Sequence, residues 1–190
     1  MGAFHLTLAS ASPRRRDLLA RLDIIPDAIQ PADIDETPMA GELPRDYAMR
    51  MGEEKALTVA AKGIVLAGDT VVAAGRRILP KTENADEARQ CLELLSGRRH
   101  TVLSSVVLRA PDGPLKSRLS ENVVRFKSLS REEIDAYIAS DEWHGKAGGY
   151  AIQGRAEALI QWMRGSHSSI MGLPLYETRA LLKSAGFALD

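Results

Sequence analysis

The chain has 190 residues, 45% of them hydrophobic and 26% charged, with a formal net charge of zero. This composition is typical of a globular protein and excludes long disordered stretches, and the length suits one domain over residues 1–190. A neutral chain gives no electrostatic reason to expect nucleic acid or a membrane as partner, so phosphate binding would need a local cluster of basic residues. A single cysteine and the lack of a bilayer-spanning apolar stretch predict a cytoplasmic protein.

The first predicted elements alternate between strand and helix. Residues 5–10 form an apolar run typical of a buried strand, and Ser12-Pro13 then predicts the N-cap and first position of a helix. A second strand is predicted over residues 24–30 and a polar loop over residues 31–44. Residues 45–62 have the apolar spacing of a helix.

The most distinctive strand is predicted over residues 63–74, whose sequence is apolar on both sides of Gly-Asp-Thr and favours a central strand covered on both faces. Further strands are predicted over residues 78–79, 101–109, 121–126 and 159–163. Further helices are predicted over residues 85–95, from a capping box of Ser130 and Glu133 through Ala139, and over residues 173–185. The alternation predicts an α/β or mixed α+β fold.

Three consecutive arginines, Arg14, Arg15 and Arg16, follow Ser10 and Ser12 where the first strand meets the first helix. The free N–H groups and the positive dipole end of a helix start favour an anion, and arginine forks match phosphate oxygens. Three cations at a helix start oppose its dipole, and a bound anion would relieve that conflict. The alternative is a capped helix with solvated arginines.

Asp69 and Thr70 interrupt the apolar run of the predicted central strand. A carboxylate is costly to bury there without a partner, and a metal ion, a lysine or a water molecule is the usual one. Lys55 and Lys81 are candidate partners. The alternative is an aspartate that caps a neighbouring loop.

Two loops carry further candidate ligands. The acidic run at residues 33–36 ends in Glu36, and loop carboxylates suit Mg²⁺ or Mn²⁺, although a solvated loop is equally consistent with the spacing. Glycines at residues 145–155 allow close backbone approach to a ligand, and Gln153 could bind a base edge through paired hydrogen bonds. A structural turn is the alternative there.

Taken together, the motifs of this chain resemble the Maf family of nucleoside triphosphate pyrophosphatases. The matching segments span nearly the whole chain in order: LASASPRRRDLL (residues 8–19), Asp35-Glu36, YAMRMGEEKA (47–56), AGDTVV (67–72), LPK (79–81), LLSGRRHTV (94–102), GKAGGYAIQG (145–154) and GLPLYET (172–178). None of these segments would be specific alone, whereas the ordered set is highly specific.

The resemblance implies a mixed α/β fold whose elongated sheet is flanked by helices, with two lobes around a central cleft that holds the nucleotide. It also implies a divalent metal cation, Mg²⁺ or Mn²⁺, and often a homodimer. By position, Asp69 matches the catalytic aspartate of the family. The positions that match specificity residues are Arg14, Thr70 and Gln153, and those that match other polar pocket residues are Ser10, Arg15, Glu36, Lys55 and Lys81.

The GGYAIQG form of residues 148–154 resembles the branch of the family that acts on dTTP and UTP. We therefore predict a pyrophosphatase that converts these triphosphates to the monophosphate and pyrophosphate, with Glu36 and Asp69 as metal ligands. Two alternatives stay open. One is a non-catalytic nucleotide-binding regulator of cell division and septum formation, and the other is a pyrophosphatase that removes modified nucleotides.

Overall fold

The computed structural model describes residues 5–111, 113–187 and 189. The strands are β1 (Leu6–Leu8), β2 (Ala28–Ile29), β3 (Ile64–Ala74), β4 (Arg77–Leu79), β5 (Arg99–Arg109), β6 (Lys116–Phe126) and β7 (Ile160–Arg164). The helices are α1 (Pro13–Ala20), α2 (Pro44–Thr58), α3 (Ala85–Leu95), α4 (Arg131–Ile138), α5 (His167–Met171) and α6 (Leu175–Ser184), and a 3₁₀ helix (Arg155–Leu159) precedes β7. None of the helices in these residues is long and apolar enough to cross a membrane.

The seven strands form one mixed sheet in the order β2-β1-β3-β5-β6-β7, and β4 lies beside β3. β1 is parallel to both β2 and β3, while the remaining pairs are antiparallel. Helix α2 covers one face of the sheet, and α1, α3, α4 and α6 contribute apolar side chains to the larger core on the other. The predicted class, a mixed α/β sheet flanked by helices, is confirmed.

The predicted central strand is β3, and it is buried on both faces. Leu66 and Val72 pack into the larger core, whereas Val65 and Val71 pack on the side of α2. Successive side chains of a strand point to opposite faces, so Asp69 lies on the α2 side and its neighbour Thr70 on the other.

One edge of β3 is interrupted in the middle. β1 pairs with β3 only as far as Leu66, and β4 pairs from Val72 onward, whereas β5 runs along the opposite edge throughout. No strand of the described sheet therefore lies beside residues 67–71 on that edge. The carboxyl end of β1 opens into the same gap, which is the position where open α/β sheets bind their ligands.

Helix α2 lies close against the sheet because Gly52 has no side chain. A Cβ added there would lie 2.5 Å from Ser105 Oγ, so any other residue would push the helix away from β5. Lys55 is three residues later and shares that face of the helix. The close approach therefore brings the Lys55 side chain to Asp69.

Two predicted boundaries are wrong near the amino terminus. The strand predicted over residues 24–30 is reduced to Ala28–Ile29, because Pro26 has no N–H to donate and the Asp27 carboxylate accepts the Leu6 N–H at 2.7 Å. The helix predicted to reach residue 62 ends at Thr58. There Arg109 donates to the Val59 carbonyl at 2.6 Å and satisfies an acceptor at the helix end.

The remaining predictions vary in accuracy. The bounds of α3 and the capping box of α4 are confirmed, whereas the short helix α5 was not predicted. Strand β6 begins at Lys116, five residues before the predicted start, because pairing with β5 extends through its polar half. Ser12 occupies the N-cap position of α1, but its side chain makes no capping hydrogen bond.

Candidate active site

A cavity of about 420 Å³ opens at the gap in the β3 edge. The β1–α1 junction forms one wall and the glycine-rich loop at residues 145–154 forms another. All nine predicted site residues line it: Ser10, Arg14, Arg15, Glu36, Lys55, Asp69, Thr70, Lys81 and Gln153. The structure therefore brings these residues, which are distant in sequence, to one cavity, while the role of each residue stays a prediction.

Lys55 and Asp69 form a buried ion pair at the centre of the cavity. Lys55 Nζ lies 2.7 Å from Asp69 Oδ1, and only 6% of Lys55 and 3% of Asp69 is exposed. Lys55 Nζ also lies 2.7 Å from Glu36 Oε1. One ammonium group thus holds two carboxylates, and among the described residues no donor is bound to the second oxygen of Asp69.

Glu36 is fixed by two lysines although it lies on a loop. Burial disfavours its charged form, but hydrogen bonds from Lys55 and Lys81 outweigh that effect and lower its pKa to about 2. The Tyr47 hydroxyl donates to the Glu36 carbonyl at 2.7 Å and fixes the backbone as well. The other acidic residues of the loop do not line the cavity, and the Asp35 side chain accepts the Thr37 N–H instead.

Arg15 connects two distant parts of the cavity wall. Its Nε donates to the Gly172 carbonyl and its Nη1 to Ser10 Oγ, both at 2.9 Å. Burial lowers the pKa of Arg15, and the nearby carboxylates of Asp69 and Glu36 oppose that shift. Arg15 therefore holds the β1–α1 junction against the segment after α5 and adds positive charge to the site.

Only two of the three consecutive arginines reach the cavity. Arg14 and Arg15 line it, whereas Arg16 is exposed and lies 3.8 Å from Asp17. Arg16 does not join the other two guanidinium groups, because successive residues of α1 point in different directions around the helix.

The structure adds Lys146 to the predicted set. Lys146 lines the cavity, and its pKa is lowered by burial and by the positive charge of Arg14. The pKa of Arg14 is lowered in the same way, mainly by burial and also by the positive charge of Arg15. Lys146 lies in the loop that was singled out for its glycines and Gln153, and a basic residue among ligand-approaching glycines was the signal that could have identified it.

The glycine-rich loop is attached to the chain on both sides of Lys81. The Gly148 N–H donates to the Pro80 carbonyl at 2.9 Å, and the Gly145 N–H donates to the Thr82 carbonyl at 2.8 Å. Lys81 and the loop therefore occupy a fixed relative position, and Lys81 Nζ donates to Glu36 across the cavity.

Thr70 lies on the opposite face of β3 from Asp69 and faces a less polar part of the cavity. The nearby lining is apolar and includes Val72, Val102, Ile152, Ile170 and Met171. Gln153 is exposed at the rim, and no hydrogen bond from the described residues fixes its side-chain amide. The cavity thus has a charged half beside Asp69 and a more apolar half beside Thr70, although Arg15 reaches the Gly172 carbonyl that also lies 3.4 Å from Thr70 Oγ1.

The cavity lining as a whole has a surplus of positive charge. Five cationic side chains line the cavity (Arg14, Arg15, Lys55, Lys81 and Lys146), against the two carboxylates of Glu36 and Asp69. This surplus of three stands in a chain whose formal net charge is zero. Such an arrangement fits a polyanion such as a triphosphate.

The donor set fits a divalent cation that shares its ligands with a substrate. Among the described residues no group of three or more His, Cys, Asp or Glu side chains could enclose a metal ion. Glu36 and Asp69, however, both contact Lys55 Nζ at 2.7 Å, so these oxygens lie within twice that distance of each other. Mg²⁺ is commonly bound by one or two carboxylates together with substrate phosphates and water, and these two carboxylates suit that mode.

Comparison with known proteins identifies relatives over almost the whole chain. A "dTTP/UTP pyrophosphatase" of Novosphingobium aromaticivorans is 60% identical over 185 residues, which cover 96% of this chain and 92% of the relative. A protein of the same name from Rhodospirillum rubrum is also 60% identical over 185 residues, covering 96% of this chain and 88% of the relative.

A solved structure shares the fold at much lower identity. The Staphylococcus aureus Ham1 protein aligns with a TM-score of 0.53 and 14% identity, over 95% of this chain and 98% of that one. Residues 5–185 match the family described as Maf-like protein. With that match and relatives at 60% identity, the chain belongs to the Maf family.

Proposed function

We propose that this protein is a nucleoside triphosphate pyrophosphatase that hydrolyses dTTP and UTP to the monophosphate and pyrophosphate. The observation that carries the proposal is the concentration of five cationic side chains in the cavity that Asp69 also lines. The names of the relatives support catalysis over the alternative of a non-catalytic nucleotide-binding regulator. Homodimer formation and a cytoplasmic location stay predictions within this proposal.

In the proposed reaction, water attacks the α-phosphorus and forms a new P–O bond. The bond from that phosphorus to the α,β-bridging oxygen breaks, and pyrophosphate leaves. Asp69 orients the water or accepts its proton, because its second oxygen is free of donors in the described residues while Lys55 fixes the first. Glu36 and Asp69 would hold Mg²⁺ or Mn²⁺, which would supply charge stabilisation for the leaving group.

The remaining cations bind the phosphate chain. Arg14, Lys81 and Lys146 line the cavity and are available to bind phosphate oxygens, and Lys55 already lies between the two carboxylates. Arg15 Nη1 donates to Ser10 Oγ at 2.9 Å, and this hydrogen bond shapes the binding surface at the start of α1. These groups are in position before substrate arrives, so little reorganisation is needed in the transition state.

The pyrimidine base occupies the apolar half of the cavity in this proposal, with Thr70 and Gln153 as its polar contacts. Apolar lining with a few oriented polar groups is the usual composition of a small-molecule site. This placement puts the base and the phosphate chain on opposite sides of β3, since Thr70 and Asp69 point to different faces.

The test is an assay of pyrophosphate release with purified protein and Mg²⁺ or Mn²⁺. The substrates are dTTP, UTP, CTP, GTP and methylated nucleotides. We expect release from dTTP and UTP in preference to the others. Nucleotide binding without pyrophosphate release would support the regulator, and preferential release from methylated nucleotides would support removal of modified nucleotides; either result would overturn the proposal.

A further inference from the structure

A series of hydrogen bonds between Thr70, Ser104 and Ser169 leads from the cavity into the core. Thr70 Oγ1 lies 3.0 Å from Ser104 Oγ on the adjacent strand β5. Ser104 is completely buried, and its hydroxyl donates to the Ser169 carbonyl at 2.7 Å. Thr70 Oγ1 also lies 3.4 Å from the Gly172 carbonyl.

The direction of these hydrogen bonds follows from counting protons. A hydroxyl has one proton to donate, and a carbonyl oxygen can only accept. The Ser169 carbonyl lies closer to Ser104 Oγ, at 2.7 Å, than Thr70 Oγ1 does, at 3.0 Å, so we assign the Ser104 proton to Ser169. With that assignment, the contact between the two hydroxyls is a hydrogen bond only if Thr70 donates. The other neighbour of Thr70, the Gly172 carbonyl, also accepts only. Thr70 therefore keeps its proton within the protein and offers lone pairs to the cavity.

Asn122 fixes Ser169, which is the buried end of this hydrogen-bonded series. Its buried amide nitrogen donates to Ser169 Oγ at 2.8 Å and to the Val102 carbonyl at 3.1 Å. Its Oδ1 accepts the Ser166 N–H at 2.8 Å. These bonds fix the orientation of the Asn122 amide and of the Ser169 side chain, and the Ser169 N–H donates to Ser166 Oγ at 3.4 Å. The residue whose carbonyl receives the Ser104 proton is therefore held in place.

We propose that Ser104 is a positioning residue that makes Thr70 a hydrogen-bond acceptor, and that Thr70 thereby selects uracil and thymine over cytosine. This inference rests on the proposed function, because it assumes that the base lies beside Thr70. Uracil and thymine present an N3–H donor, whereas the N3 of neutral cytosine is an acceptor. If Thr70 Oγ1 faces the N3 of cytosine, both atoms are acceptors and neither has a hydrogen-bond partner in this partly buried site.

Gln153 alone does not provide this discrimination. A side-chain amide has both a donor and an acceptor, and rotating it by half a turn exchanges them. Because no hydrogen bond from the described residues fixes the Gln153 amide, it can match either pyrimidine. The hydroxyl of Thr70 is the polar group beside the apolar lining whose direction the protein has already set.

The first experiment compares Ser104→Ala with wild type and with Ser120→Ala as a matched control. Ser120 lies directly opposite Ser104 on β6 and is also buried, but no described hydrogen bond joins its side chain to Thr70. The measured quantity is the ratio of kcat/KM for UTP to that for CTP. We expect Ser104→Ala to lower this ratio by about 5- to 100-fold, the range set by leaving one buried polar group unpaired, and Ser120→Ala to preserve it.

The second experiment needs no variant and so does not depend on the folding of Ser104→Ala. The N3–H of 5-fluoro-UTP ionises at lower pH than that of UTP. The ratio of kcat/KM for 5-fluoro-UTP to that for UTP should therefore fall as the pH rises through this ionisation, because an acceptor cannot bind an anionic N3. Ionisation of enzyme groups and of the triphosphate changes kcat/KM for both substrates by the same factor, so these effects cancel in the ratio.

The outcomes separate this inference from the proposed function. A wild-type protein that releases no pyrophosphate from UTP would overturn both. A protein that hydrolyses UTP and CTP equally would overturn the role of Ser104 and the expected base preference, but not the pyrophosphatase activity. A folded Ser104→Ala that keeps the wild-type preference would overturn the role of Ser104 alone. A 5-fluoro-UTP ratio that is independent of pH would likewise overturn it, while hydrolysis itself would still stand.

Discussion

Replacing Asp69 by asparagine separates a catalytic role from a structural one, because the surroundings of Asp69 limit the loss of stability. Breaking a buried ion pair costs about 3–5 kcal/mol when the surviving charge is left alone. Lys55 is not left alone here, since Glu36 lies at the same 2.7 Å and the asparagine oxygen can still accept a hydrogen bond. We therefore expect the free energy of unfolding to fall by only about 1.5–3 kcal/mol, the scale of one hydrogen bond to a charged group.

The expected loss of activity is much larger. General-base assistance is worth about 10²–10⁴-fold, and the asparagine amide cannot accept a proton from the attacking water. Pyrophosphate release from dTTP at saturating substrate measures the turnover number, and urea unfolding measures the stability. Asp46→Asn is the control, because it makes the same chemical change at an exposed position of α2 outside the cavity.

Wild-type turnover in Asp69→Asn would refute the assignment of Asp69. A loss of turnover that is fully explained by unfolded protein would also refute it, because the reasoning requires a folded and inactive variant.

Three further predictions address substrate binding, pH and metal. Arg14→Ala should raise KM and lower kcat for dTTP in steady-state assays, because the phosphate charge is present in the ground state as well as in the transition state; an unchanged KM would contradict this role. Burial lowers the pKa of His100 to about 4, so the unfolded chain takes up the proton first, and stability should fall by roughly 3 kcal/mol as the pH drops from 6.5 to 4. Urea unfolding of wild type and His100→Gln across this range isolates the effect, and parallel curves would disprove it. Removal of divalent cations with EDTA should abolish pyrophosphate release, and Mn²⁺ should restore it; full activity in EDTA would show that Glu36 and Asp69 do not hold a required metal.

The parts of the fold that were predictable from sequence are those specified by local patterns. The apolar run around Asp69 identified β3, and a side-chain capping pattern identified the start of α4. The amino half of β6 was missed because Lys116, Ser117 and Arg118 have no strand-like apolar alternation. That segment is a strand because β5 pairs with it along its whole length, and sequence alone does not show which partner is adjacent.

The residues of the candidate site also differ in whether a local sequence pattern could identify them. Charged residues such as Asp69 and Lys55 stood out because an apolar setting or a motif made them conspicuous. Ser104 had no such signal, since a serine in a β-strand is ordinary. Its importance depends on Ser169, 65 residues away, and on the number of protons that one hydroxyl can donate.

The positive surplus of the cavity has a consequence for the rest of the molecule. The chain as a whole is formally neutral, so a lining that carries three excess positive charges leaves three excess negative charges on the remaining residues. The positive charge that attracts polyanions is therefore concentrated in the cavity, and the rest of the chain carries a net negative charge. A small triphosphate is drawn in by the local field, and its association rate should decrease as added salt screens that field.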